Sequence, residues 1–271
     1  MTEASTQTGA GLLAGKRALI LGVANDHSIA WGIAKAMHAA GAELAFTYQG
    51  TGFGRRVVPL AESLDAKYIL PADVQDPASL DAVFETLQSG WGGLDVLVHA
   101  IAYSDKAELD GRFVDTSRKN FLNSLDVSCY SLVEVTRRAA PMMRPGGSII
   151  TLTYIGAQRV TPHYNVMGVA KAALESAVRY LANDLGPDGI RVNAISAGPM
   201  RTLAGAAIAG ARKVYHAVER NAPLRANATL ESVGGTAVYL ASDLGASVTG
   251  EIIFVDGGFH ALGMAQPEFL S

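Results

Sequence analysis

One cysteine, Cys129, stands in 271 residues, so no internal disulfide can form. Such usage suits a reducing compartment such as the cytoplasm. The six histidines show no metal-ligand spacing, and no metal site is expected. Charged residues are sparse, the net charge is only -3, and no Lys/Arg stripe runs along the chain, which argues against nucleic acid as a partner. No apolar run approaches the roughly 18 residues that would span a bilayer. The opening "MTEASTQTGAG" lacks both a basic start and an apolar stretch, so it reads as neither signal peptide nor anchor. Residues 1–13 are expected to be loose.

What the chain has is apolar content, 49% of its residues, arranged in an alternation. Short apolar runs occur at 17–22, 43–49, 68–74, 94–101, 148–154, 191–198 and 251–258, and helical spacing fills most gaps between them. Strands apolar on both faces and separated by helices imply a parallel sheet covered on two sides. The expected architecture is a doubly wound, seven-stranded parallel α/β sheet of Rossmann type. With no repeat or linker in view, 14–271 reads as one dinucleotide-binding and catalytic domain. The Ala/Gly-rich stretch near 200–220 reads as a substrate lid or as a surface helix pair.

Strand ends carry the candidate ligand groups. In "LILGVANDHSIAWGIA", Gly22 permits a tight turn and Ser28 can cap the helix, leaving N–H groups for an anion. This is not G-x-G-x-x-G: only Gly22 and Gly32 stand where glycines are expected, and an ordinary capped turn reads equally well. Gln49 ends the second strand and can bond a ribose hydroxyl. Asp73, beside Val74 at the end of the third, can accept from an adenine amino group. Gln49 is neutral, whereas a 2′-phosphate wants a cation, so NADH is expected over NADPH. Arg55 and Arg56 nearby pull the other way.

"YNVMGVAK" places Tyr164 and Lys171 seven positions apart. Thr161 as cap and Pro162 at the first helical position would start a helix there. Seven residues make about 700° of turn and roughly 10 Å of rise, so the two side chains would share a face. A nearby ammonium favours an ionised phenol. An amphipathic helix with an incidental pair remains the alternative, as does a core role for Tyr154.

The chain resembles short-chain dehydrogenase/reductases from about 14 to 260, with departures: Tyr-x6-Lys, Thr151 at the usual serine position, and "HAIA" at 99–102 after the fourth strand. With "GVANDHSIAWGIA", "AFTYQ", "YNVMGVAKAALE", "RVNAISAGPMRTLA" and "VDGG", it resembles the bacterial enoyl-acyl-carrier-protein reductases of fatty acid elongation. That resemblance implies reduction of trans-2-enoyl thioesters by NADH, acyl carrier protein as partner, a homotetramer and a cytoplasmic location. It implies cofactor contacts from Gly22, Ser28, Ile29, Gln49, Asp73, Val74, Ile101, Lys171, Met200, Arg201, Thr202, Leu203 and Ala204. It makes Tyr154, Tyr164 and Lys171 catalytic, and assigns substrate contacts to Ser104 and the two tyrosines. Arg212, Lys213, Arg220 and Arg225 could greet an acidic carrier, or be ordinary solvated charge.

Overall fold

The computed structural model describes residues 11–203, 205 and 210–269. Seven strands form one parallel sheet in the order β3-β2-β1-β4-β5-β6-β7. They are β1 (Arg17–Leu21), β2 (Glu43–Tyr48), β3 (Tyr68–Pro71), β4 (Leu94–His99), β5 (Met143–Thr153), β6 (Arg191–Ala197) and β7 (Ile252–Val255). All seven apolar runs are strands. β5 begins earlier than expected, because Met143 pairs with Leu94 ahead of a register shift. β3 ends earlier, at Pro71: the Asp73 N–H leaves the ladder and donates to Ser79 Oγ at 2.9 Å.

The helices are α1 (Ile29–Ala39), α2 (Gly50–Glu62), α3 (Pro77–Trp91), α4 (Lys106–Leu109), α5 (Arg118–Leu125), α6 (Ser131–Ala139), α7 (Asn165–Leu185), α8 (Ala211–Asn221) and α9 (Leu230–Ala241). Alternation along β1 shows the layering. Ala18 and Ile20 join a core formed with α1, α2 and α9, while Leu19 and Leu21 join one formed with α3, α6 and α7. Two-sided burial is why the strands read as largely apolar runs rather than strict alternations. Gly32 serves this packing, since a Cβ there would lie 2.7 Å from Leu230 Cβ where α1 crosses α9.

Residues 1–10 lie outside the described residues. Residues 11–13, grouped with them as loose, are held: Gly11 and Leu13 N–H donate to Ala40 O, and Leu13 is fully buried. The apolar side chain, rather than the polar run before it, decides where order begins. A π-helical turn, Asp126–Tyr130, joins α5 to α6. Such turns break the regular hydrogen-bond ladder and often sit beside functional sites. None of the described helices is long and apolar enough to cross a membrane.

Candidate active site

β1, β4 and β5 are parallel neighbours, so their carboxyl ends share one edge of the sheet, the position at which a doubly wound sheet binds ligands. Gly22 follows β1 with φ +98°, and a Cβ there would come within 2.1 Å of Ala100 O. Only glycine lets the first turn pass so close to the end of β4. Ser28 stands at the N-cap of α1, yet its side chain does not cap. The expected cap is lost because Ser28 Oγ turns back and accepts from Ala24 N and Asn25 N, both at 3.0 Å. Among the described residues, the Ile29 and Ala30 N–H groups therefore find no acceptor. Open donors at a helix N-terminus favour an anion.

Gln49 and Asp73 come together: Gln49 Nε2 donates to Asp73 Oδ2 at 2.9 Å. Val74 and Ile101 are partly buried against the core shared with α3, α6 and α7. Ser104 does not stand free. Asn120 Nδ2 donates to Ser104 Oγ at 3.1 Å, and Asn120 Oδ1 accepts from Asp105 N at 2.9 Å. Asn120 thus braces the loop after β4, a role its sequence position did not advertise.

α7 begins at Asn165, not Pro162, and Tyr164 is its N-cap. The Thr-Pro start signal is overridden. His163 and Asn165 both take left-handed backbone conformations, φ 63° and 40°, which asparagine tolerates better than most residues. Asn165 Nδ2 is tied to Leu109 O at 3.1 Å and Gly111 O at 3.3 Å. Tyr164 is therefore fixed by tertiary contacts on both sides rather than carried in a helical turn. Its ring meets Tyr154 edge-on, centroids 5.1 Å apart, beside Leu109, Val166 and Met167. Tyr154 belongs to this cluster and not to the main core. Gly156 makes room for it, since a Cβ there would lie 2.4 Å from Tyr164 Cδ1.

Burial pushes the Tyr164 phenol well above its ordinary value of 10, with Tyr154 and Glu175 adding to the rise. The expected help of Lys171 towards ionisation is not among the causes. Tyr164 is thus a proton-bearing donor. Lys171 is buried on the same helix, and its Nζ donates to Leu152 O at 2.8 Å. Burial lowers its ammonium from 10.5 to about 8, while Cys129 and Glu175 draw it back up. Thr151 is fully buried, its Oγ1 lying 3.0 Å from His99 Nδ1, while Ser131 Oγ lies 2.8 Å from Nε2. Burial first, then Lys171, brings His99 down to about 3, so it is neutral. Thr151, at the usual serine position, thus spends its hydroxyl on His99 and is closed off from solvent.

Met200 to Leu203 leave the end of β6, and the Arg201 guanidinium lies 4.9 Å over the Tyr215 ring of α8. Ala204 lies outside the described residues, as do 206–209 of the expected lid. Among the described residues no group of His, Cys, Asp and Glu could hold a metal ion. Sequence reasoning missed His99, Asn120 and Glu175. For Glu175 a signal existed: it is an acid in an otherwise apolar run, one turn past Lys171.

Known proteins resemble this chain over nearly its whole length. A family model described as enoyl-(acyl carrier protein) reductase matches residues 22–260. The chain is 56% identical over 260 residues to "Enoyl-[acyl-carrier-protein] reductase [NADH] 2" of Rhizobium meliloti, covering 96% of this chain and 97% of the relative. A solved enoyl-(acyl-carrier-protein) reductase from Anaplasma phagocytophilum, in complex with NAD, superposes with TM-score 0.91 at 54% identity, covering 96% of this chain and 97% of that one. One from Bacillus cereus, with NADP+ and indole naphthyridinone, superposes at 0.91 with 50% identity, covering 93% and 99%.

Lys171 gives a pH test of the buried site. Its folded pKa lies below the unfolded value, so the full burial penalty applies below about pH 8. The penalty lifts as pH rises towards 10.5, because there the unfolded chain holds a proton that the folded chain has shed. The unfolding free energy of the wild type, relative to Lys171→Met, is expected to rise by about 2 kcal/mol between pH 7.5 and 10. Denaturant titrations of both proteins at the two pH values measure it; a constant difference would mean that Lys171 is not buried as charge.

Proposed function

This chain belongs to the enoyl-(acyl carrier protein) reductase family, and from that premise we propose that it reduces the 2,3-double bond of trans-2-enoyl-acyl-carrier-protein thioesters with NADH, in fatty acid elongation. The observation that carries the reading is a buried, protonated Tyr164 set against Tyr154, with Lys171 deeper on the same helix.

The chain's groups suit the cofactor. The open N–H groups at Ile29 and Ala30, with Gly22 and Ser28, would hold the pyrophosphate. The Gln49–Asp73 pair would meet the adenosine ribose and, with Val74, the adenine. Ile101 and the stretch Met200–Ala204 would border the nicotinamide, and Lys171 would bond its ribose. Bound there, NADH supplies hydride to the β-carbon. Negative charge then develops on the thioester oxygen, three bonds from that carbon. Tyr164, neutral at working pH, donates a hydrogen bond to that oxygen, and preorganised donors of this kind are usually the largest catalytic contribution. Tyr154 supports the Tyr164 ring and borders the substrate with Ser104. A neutral Gln49 favours NADH.

Residues 14–271 act as one catalytic domain, with 200–220 as the lid. Arg225 is occupied by Glu268 and by the carbonyls of Asn221 and Ala222. The exposed Arg212, Lys213 and Arg220 are left to meet an acidic carrier protein. Leu122, Tyr130, Val169 and Tyr180 expose apolar surface along α5, the π turn and α7, which supports assembly into a homotetramer. A cytoplasmic location follows from the same reading.

Rates with crotonyl and acetoacetyl thioesters, each with NADH and NADPH, test the assignment. Crotonyl reduction with NADH is expected to dominate. Preference for the keto substrate would make the chain a ketoreductase, and tight NADH binding without turnover would make it a dinucleotide sensor. Tyr164→Phe is expected to lower kcat by about 10²–10³, the usual cost of one lost oxyanion donor, with NADH affinity little changed. Lys171→Ala is expected to weaken NADH binding, followed by nucleotide fluorescence. Near-normal turnover in both variants would remove the mechanism.

A further inference from the structure

Glu175 lies on α7 one turn beyond Lys171 and is only 5% exposed. A buried carboxylate is costly unless its oxygens are bonded. Here its partners are neutral: Thr153 Oγ1 donates at 2.8 Å and Gln158 Nε2 at 3.0 Å. Those two residues bracket the tyrosine loop. Thr153 is the last residue of β5, and Gln158 closes the 3-10 turn Ile155–Ala157 that follows Tyr154. The same turn carries Gly156, against which the Tyr164 ring rests. One carboxylate therefore clamps both ends of the segment that seats both aromatic rings. Its charge also sits in the buried layer of Lys171.

We propose that Glu175 is a positioning residue for the reduction: it fixes the Thr153–Gln158 loop under Tyr154 and Tyr164 and sets its carboxylate in the same buried layer as Lys171. This rests on the reading of Tyr164 and Lys171 given above. Around Lys171 the other titratable groups are His99 on β4, Cys129 on the π turn, and the two tyrosines. Burial keeps each of them neutral near pH 7, lowering the imidazole and raising the thiol and the phenols. Cys129 and Glu175 both draw the Lys171 ammonium up; with the thiol held protonated by burial, Glu175 supplies the countercharge, and without it the ammonium would lose its proton at lower pH.

The test compares wild type with Glu175→Gln, Glu175→Ala and Thr153→Val, following kcat, NADH affinity by fluorescence, and kcat/KM for NADH from pH 6 to 9.5. Lys171→Ala serves as the control. Glu175→Gln, which keeps an acceptor for Thr153 and removes the charge, is expected to move the alkaline limb of the profile about one unit to lower pH, with affinity at pH 6 nearly unchanged. Thr153→Val keeps the charge and loosens the clamp, so kcat should fall several-fold with the limb in place. Glu175→Ala should do both; if it does not fold, Glu175→Gln and Thr153→Val decide. A limb absent from Lys171→Ala but unmoved in folded Glu175→Gln would overturn the proposal alone. A limb that persists in Lys171→Ala would overturn the lysine assignment and the proposal with it.

Discussion

Lys171 donates to Leu152 O at 2.8 Å, and through that bond a long helix is pinned to the end of a central strand. The bond costs burial of an ammonium, visible in its lowered pKa. In exchange the helix cannot slide along β5 without leaving a charge unpartnered in the core. Everything chemical sits within reach of that joint. Tyr164 caps the helix, Tyr154 follows the strand, and their rings meet edge-on. Edge-to-face contact between aromatic rings is orientation-dependent, so the angle between helix and strand becomes the angle at which a hydroxyl is presented.

The polar groups behind this joint explain why it holds its shape. His99 occupies both hydroxyl neighbours, Thr151 and Ser131, and ties β4 to β5 and to the start of α6. Asn120 braces the loop after β4. Glu175 grips the loop after β5 from the helix side. Each is a buried polar side chain with its bonds made, and such networks specify one arrangement because a half-made alternative is expensive. None of them needs to touch substrate to matter.

The sheet was legible in the sequence because its physics is local and repetitive. A strand covered on both faces is mostly apolar, and each of the seven carries an apolar run, with the few polar residues of β6, Arg191, Asn193 and Ser196, buried as well. The shared edge of the strand ends was legible for a related reason: a parallel sheet sends all its carboxyl ends the same way. What escaped was set by distant contacts. Thr161 and Pro162 form a sound helix-start signal, yet the helix begins at Asn165, because Asn165 is claimed by carbonyls of the loop after α4. Ser28 is a sound capping residue, yet its hydroxyl is claimed by the preceding turn. That second failure is informative, since a helix whose own cap is withheld keeps its donors for something else. Glu175 escaped although its apolar neighbours hinted at burial, because one acid on a helix ordinarily faces water, and its partners Thr153 and Gln158 are set by the fold.

The spacing of Tyr164 and Lys171 can now be read physically. A phenol one turn nearer the lysine would sit where a ketone oxygen receives its proton, on the carbon that takes hydride. Here the reacting carbon and the charged oxygen are separated by the length of a conjugated thioester. On the proposed reading the phenol stands further out while the ammonium stays on the sugar. Moving the tyrosine outwards takes it off the regular helix, which is why His163 and Asn165 flank it in left-handed conformations. Strain of that kind persists only where surrounding contacts over-determine it. Asn165, Gly156 and the Tyr154 ring provide those contacts. The longer gap is therefore not a looser version of a shorter motif, but a separate solution with its own supports, and those supports fix where the hydroxyl points.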